Sequence, residues 1–190
     1  MRAAVLTDRA VSYGVGVPPD APYLVEAALA GLATVRRSTG GTGVLHGPGD
    51  LAWAVVLPRE DPRVGSDYVH AYPRLGAGVV RFLAERGVRA TWGDPPGSDP
   101  DYCLLSDRGS VLSTRGKVIG GAAQHVNSRA LLHSGIVPLE LDRPMLRTVF
   151  HLSPKSVERL TSLRELAVEG TSESLAWKLA AHLSDALAGK

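Results

Sequence analysis

Residues 36–58, RRSTGGTGVLHGPGDLAWAVVLP, set a segment that can bury almost nothing of itself against a run that belongs in a core. The first part, residues 36–50, carries two arginines, adjacent hydroxyls, five glycines and a histidine, with few large apolar residues. The second part, LAWAVVLP, is apolar, rich in branched side chains and ended by proline, which predicts a strand buried on both faces. A fold holding both must place a glycine-lined backbone surface beside its central sheet. Glycines there permit close approach of a ligand, and the guanidinium forks of Arg36 and Arg37 suit carboxylate or phosphate.

At 190 residues the chain is long enough for one domain with a substantial core, and a single domain over 1–190 is expected. Lys and Arg number 21 against 19 Asp and Glu, a net charge of +2, which argues against a dedicated nucleic-acid binder. Cys103 is the one cysteine, so no internal disulfide can form, and a cytoplasmic location is expected. The N-terminal MRAAVLTDRAVSYG fits neither a signal nor a transit peptide, and no apolar run is long enough to span a membrane.

RAAVL (2–6) reads as a strand and VEAALAGLA (25–33) as a helix. VHAYPRLGAGVVRFLAERGV has helical spacing, with Val80, Phe82, Leu83 and Val88 on one side, Pro73 at a start or bend and Gly87 as a stop. RATWGD reads as a strand and GDPPGSDPD as a turn cluster. YCLLSD, GSVLSTRGKVIGGAAQHV and RALLHSGIVPLELD predict a strand meander. SPKSVERLTSLRELAVEG and SESLAWKLAAHLSDALAG predict helices, the second capped by Ser172 and holding Leu175, Leu179, His182 and Leu183 at helical spacing, with His182 in the core. The combination indicates an α+β (mixed α/β) domain rather than a doubly wound one.

GSVLSTRGKV has six residues between its glycines and a valine after Lys117, so it is not a phosphate-binding P-loop. The glycines at 41, 43 and 47 lack dinucleotide-fingerprint spacing. No His, Cys, Asp or Glu cluster has structural-zinc spacing, so no metal bound by protein ligands is expected.

RRSTGGTGVLHGPGDLAWAVVLP resembles the RRxTGGxxVxHxxGxLxxxxxxP signature of the lipoate-protein ligase and octanoyltransferase superfamily. YCLLSD with GSV is similar to its cysteine-containing segment, GKVIGGAAQ to its GRKIxGxAQ strand, RALLHSGIVPLELD to its GALLHHGxLLLDxD strand and LTSLREL to its TSLREL segment. These matches cover roughly residues 34–166. The resemblance implies a class II synthetase-like biotin/lipoate ligase catalytic domain: a mixed, mostly antiparallel sheet packed by helices. The biotin ligase adenylate loop GRGRxGR is absent, and the family's usual MALDEAL-like N-terminal helix has no counterpart before the first strand.

Carried over residue by residue, Arg37, Thr39, Gly40, Gly41 and His46 fall in the substrate-binding loop, with Asp50 and His133 also at substrate-binding positions. Cys103 occupies the position of the catalytic cysteine of the transferases. As a residue among Leu104 and Leu105 it equally suits a small buried hydrophobe. The family's catalytic lysine falls on Lys117 when KVIGGA is the anchor and on Val118 when Gln124 is. A bulge absorbing one residue within Gly120–Ala123 reconciles the two in favour of Lys117. Val44, Leu45, the 52–56 strand and Leu131 are the expected walls of an acyl slot, and Lys117, His46 or His133 the expected activators of the thiol.

The implied activity is transfer of a lipoyl or octanoyl group to a lysine of a lipoyl carrier domain, as in 2-oxoacid dehydrogenase or glycine cleavage proteins. Lipoate or octanoate is then the substrate, acyl carrier protein a possible donor, and no nucleic acid or membrane is a partner. The alternatives are an ATP- and Mg-dependent lipoate-protein ligase subunit with an accessory chain, and a non-catalytic homologue that only engages the carrier domain.

Overall fold

LAWAVVLP forms the strand around which the rest is arranged, but with one buried face rather than two. Leu51, Trp53, Val55 and Leu57 are buried, whereas Val56 is 59% exposed. The computed structural model describes residues 1–65, 71–93, 99–105 and 110–189. In chain order the first elements are β1 (Arg2–Val5), β2 (Ala10–Tyr13), α1 (Pro22–Leu29), β3 (Ala33–Arg36), β4 (Gly43–His46), β5 (Leu51–Pro58), α2 (Tyr72–Leu75) and α3 (Ala77–Ala84). They are followed by β6 (Thr91–Gly93), β7 (Ser110–Thr114), β8 (Lys117–Val126), β9 (Ala130–Val137), α4 (Arg143–Phe150), α5 (Pro154–Glu158) and α6 (Ser172–Leu187).

Six strands make a fully antiparallel sheet in the order β1-β5-β9-β8-β7-β6, and three make a small mixed sheet, β3-β2-β4. Period-two alternation gives each sheet two faces of different use. The outer face of the large sheet packs Leu51, Trp53, Val55, Leu131 and Val137 against Val79, Phe82 and Leu83 of α3 and Leu175, Leu179 and Leu183 of α6. The outer face of the small sheet packs Val11 and Leu45 against Tyr23, Leu24 and Ala27 of α1 and Leu146, Val149 and Phe150 of α4. The two inner faces turn toward each other.

Local chemistry sets the boundaries. The β7–β8 hairpin turns through Arg115 and Gly116, both at positive φ (49° and 75°), the conformation a two-residue turn needs to match strand twist. α1 begins at Pro22, three residues before the expected start, and gives way before the left-handed Gly31, after which 33–36 is already strand. Gly76 separates α2 from α3, with Pro73 in the first turn of α2, and the chain reverses at Gly87 (φ 74°). Val80 is only partly buried; Gly78, Val79, Phe82 and Leu83 form the buried side. α6 is capped by Thr171, whose hydroxyl accepts from Ser174 N, and not by Ser172.

Three further expectations are corrected. Residues 99–105 form turns joined to β4 by a single parallel bridge, Gly43 to Tyr102, rather than a meander strand. The 153–170 segment is helical only over α5, because Val118 N–H donates to Arg159 O and Thr161 N–H donates to Val118 O, drawing the chain alongside β8. His182 is at the rim of α6, its Nε2 2.9 Å from Glu85 Oε2, not in the core. Positions 69–70 of the expected helix with the preceding 66–68, 94–98 of the turn cluster and 106–109 lie outside the described residues. Among the described residues no helix is long and apolar enough to cross a membrane.

Candidate active site

Where the inner faces of the two sheets meet, their small side chains leave a cavity of about 410 Å³. Ala10, Ser12, Val44 and His46 line it from the small sheet; Ala52, Ala123, Ser134 and Ile136 line it from the large one. Each set follows from strand pairing: Ala10 is opposite His46 and Ser12 opposite Val44, while Ala52 is opposite Ile136 and Ala123 opposite Ser134. The volume and apolar lining are those of a small-molecule site. Leu6, Thr7 and Asp8 border the cavity, as do Arg37, Thr39 and Cys103.

The glycine-rich segment forms the wall around Cys103, and Arg37 organises it. Its Nε donates to Thr39 Oγ1 (3.3 Å), Nη1 to Ser12 O and Oγ (3.0 and 2.9 Å) and Nη2 to Gly40 O and Thr42 O (both 3.0 Å). A guanidinium has five N–H groups, and all five are engaged with the protein, so the expected carboxylate fork is used to hold the loop. Gly41 is at φ +90°, and a Cβ there would lie 2.7 Å from Cys103 Sγ. Cys103 N–H donates to Gly43 O (2.8 Å), fixing the cysteine to the edge of β4. The sulfur packs with Val44 and Ile136, and Leu6 and Ala52 border the same cluster.

The two histidines separate. His46 lines the cavity, its Nε2 2.6 Å from Ser12 Oγ; burial first, then the Arg37 charge, lower it to about 4, so the ring is neutral at pH 7. His133 is fully buried on the outer face of the large sheet, 3.2 Å from Gln124 Nε2 through Nδ1 and packed among the rings of Trp53, Tyr72 and Trp92. Burial lowers it to about 3. Its expected substrate role is therefore corrected: it pairs with Gln124, and odd positions of β9 face the helices. Leu131 shares that face, and Leu45 belongs to the α1–α4 core, so neither is a cavity wall.

Asp50 is also turned away from the cavity. Its carboxylate accepts from Gly47 N and Leu139 N (both 2.9 Å), clamping the 47–50 turn to the end of β9. Burial raises it to about 6, partly offset by those two hydrogen bonds. Its place in the site is to hold the turn that follows His46.

Lys117 is the first residue of β8, paired with Thr114 beside the Arg115–Gly116 turn; its side chain is exposed and does not line the cavity. Val118, the other alignment choice, is buried against Leu160. The expected bulge exists but one position upstream: Leu112 pairs with Gly120 and Ser113 with Val118, leaving Ile119 as the extra residue, while Gly121–Ala123 pair regularly with β9. Either register thus leaves the lysine outside. Sequence reading missed Ser12, which joins Arg37 to His46, and the Ala123–Ser134 pair; the run of small residues in GAAQ was an available signal, whereas AVSY is too short to carry one.

The family description "Lipoyl protein ligase A/B catalytic domain" matches residues 9–184. An octanoyltransferase LipM of an Exiguobacterium strain is 31% identical over 147 residues, which cover 72% of this chain and 53% of that protein. The chain thus spans about half the length of the curated relatives it matches. Among solved structures, a lipoate-protein ligase A crystallised with ATP superposes with a TM-score of 0.76 at 24% identity, over 95% of this chain and 70% of that one. The bi-partite lipoate protein ligase of Thermoplasma acidophilum, described with its E2 lipoyl domain, superposes with a TM-score of 0.73 at 22% identity, over 95% of this chain and 68% of that one. Those two structural likenesses are likenesses of fold. With the family match over nearly the whole chain, and a glycine loop, cysteine and apolar cavity held in one place, the chain belongs to the lipoyl protein ligase A/B catalytic-domain family.

Proposed function

We propose that the chain transfers an octanoyl or lipoyl group through a thioester on Cys103. The observation that carries this reading is the position of Cys103 Sγ in the wall of an apolar cavity, against Gly41 and beside Arg37. An acyl tail of eight carbons gains roughly 5 kcal/mol from burial, which an apolar slot supplies without polar contacts. In the first step Sγ attacks the carbonyl carbon of a donor thioester on a carrier protein. The new S–C bond forms, the donor S–C bond breaks, and the thiol proton leaves with the carrier's sulfur. In the second, the amine of a lysine on a lipoyl carrier domain attacks the Cys103 thioester, giving an amide and returning a proton to Cys103. The backbone N–H of Gly41, beside the sulfur, serves as a donor to the oxyanion of each tetrahedral intermediate, the Gly40 N–H being given to Gln124 O.

The ATP-dependent alternative finds less support in the side chains. An acyl-adenylate needs free cationic donors for its phosphate, yet the five N–H groups of Arg37 are engaged with the loop and Lys117 lies outside the cavity. The LipM relatives favour the transferase in the same direction.

The test is intact-mass analysis after incubation with an octanoyl-loaded acyl carrier protein. Wild-type protein gains one octanoyl group and passes it to a lipoyl carrier domain; Cys103→Ser does neither. An adduct that survives Cys103→Ser, or lipoate-dependent exchange of pyrophosphate into ATP by the wild type, overturns the reading.

A further inference from the structure

We propose that Arg37, and not Lys117, is the cation that supports Cys103 as a nucleophile, so that this chain works from a cysteine–arginine pair. The inference deepens the acyl-transfer reading and rests on it. Its geometric basis is a single crowded point: a Cβ on Gly41 would lie 2.7 Å from Cys103 Sγ and 3.1 Å from Arg37 Nη2. Sulfur and guanidinium therefore flank the same point beside Gly41, and the two are in electrostatic contact.

A thiolate needs positive charge nearby to be the prevalent form at neutral pH. Ionisable side chains in electrostatic contact with Cys103 include Arg37 and the phenols of Tyr23 on α1, Tyr72 on α2 and the adjacent Tyr102. Burial pushes Tyr23 and Tyr72 up to about 12 and Tyr102 higher still, so all three are neutral phenols at working pH. Arg37 is the charged member of that set.

Arginine suits the place for a reason lysine does not match. The same guanidinium that has the sulfur as a neighbour is locked by Ser12, Thr39, Gly40 and Thr42, so its charge cannot swing away, and although burial lowers its pKa a guanidinium starts high enough to stay protonated at working pH. Ser12 extends the lock to His46, which is neutral and adds no competing charge. Lys117, by contrast, is exposed at the hairpin turn and outside the cavity lining. Arg37 acts through the sulfur and is a positioning residue for it.

The experiment is alkylation of Cys103 by iodoacetamide, followed by mass spectrometry at pH 7 and at pH 9.5. The reaction forms an Sγ–carbon bond, expels iodide and passes the thiol proton to buffer. Lys117→Ala is expected to react at the wild-type rate. Arg37→Gln is expected to react roughly tenfold more slowly at pH 7 and to approach the wild type at pH 9.5, where a thiol ionises without help. Arg37→Lys, which keeps the charge, recovers a large part of the pH 7 rate. The proposal is overturned if Lys117→Ala slows the reaction, or if Arg37→Gln and Arg37→Lys lose it equally at both pH values, the mark of a purely structural role. Alkylation needs no acyl donor, so a reactive Cys103 that takes no octanoyl group would refute the transferase reading while leaving the pair intact.

Discussion

On its helix-covered face the large sheet presents Leu51, Trp53, Val55, Leu131, His133 and Val137; on its inner face the same strands present Ala52, Ser134 and Ile136. One face is filled to the density of a core, and the other is left short of volume by small side chains. The strands are shared, so the difference comes from parity along each strand and from what lies opposite. Helices α3 and α6 supply bulk on one side, whereas the small sheet on the other supplies Ala10, Ser12 and a glycine turn. Residues on the filled face are accordingly expected to govern stability and residues on the open face chemistry.

Leu179 is fully buried on α6 against the filled face. Leu179→Ala is expected to lower unfolding free energy by about 2–5 kcal/mol in urea titrations. Acyl transfer per folded molecule should stay unchanged at low temperature. On the open face, Gly41→Ala forces a left-handed non-glycine residue and drives its methyl group into the sulfur. It should retain the fold by circular dichroism and lose about 100-fold in transfer rate, since displacement of a reacting atom by about 1 Å has that scale.

The pH dependence of stability reports on the buried ionisable groups of both faces. His133 is held at about 3 by burial, below its unfolded value near 6.5, so its contribution is fully present above 6.5 and is lost as pH falls through about 3. His46, at about 4, behaves in the same sense. Asp50, raised to about 6, has the opposite sign: its contribution is full below the ordinary carboxylate value and lost as pH rises through 6. Stability measured by denaturant from pH 7 to pH 4 should therefore fall less steeply in His133→Leu than in the wild type, with transfer activity at pH 7 retained. Equal slopes would show that His133 does not titrate on unfolding.

The smallest effect is on chain-length selection. Ala123 faces the cavity from β8, and Ala123→Leu should exclude about two methylenes of an acyl tail. At ~0.8 kcal/mol each, that costs roughly tenfold with an octanoyl donor and little with a butyryl donor. Equal losses for both donors would place the tail elsewhere.

The legible parts of this molecule were those where composition alone decides an element. LAWAVVLP, the hairpins from 110 to 137 and the amphipathic α6 could be read directly as elements, and the glycine-rich 36–50 segment contains Arg37, Thr39 and His46, which line one cavity. Four-residue strands such as AVSY and ATVR are too short to show their period, and β2 with Ser12 was missed for that reason. The facing of a residue was harder still. His133 and Ser134 are neighbours on opposite sides of β9, and nothing in RALLHSGIV says which side meets helices and which a cavity. Lys117 shows the same limit in its sharpest form, because one extra residue at Ile119 decides where the start of β8 points, and bulges depend on the partner strand.

The central claim is that Cys103 is the nucleophile at the wall of an acyl cavity. The most direct measurement is tandem mass spectrometry of the proteolysed protein after exposure to an octanoyl donor, with and without hydroxylamine. One octanoyl group is expected on the peptide carrying Cys103, removed by hydroxylamine as a thioester is. An octanoyl group on any other residue, or an unmodified Cys103 after full turnover of the donor, would contradict it.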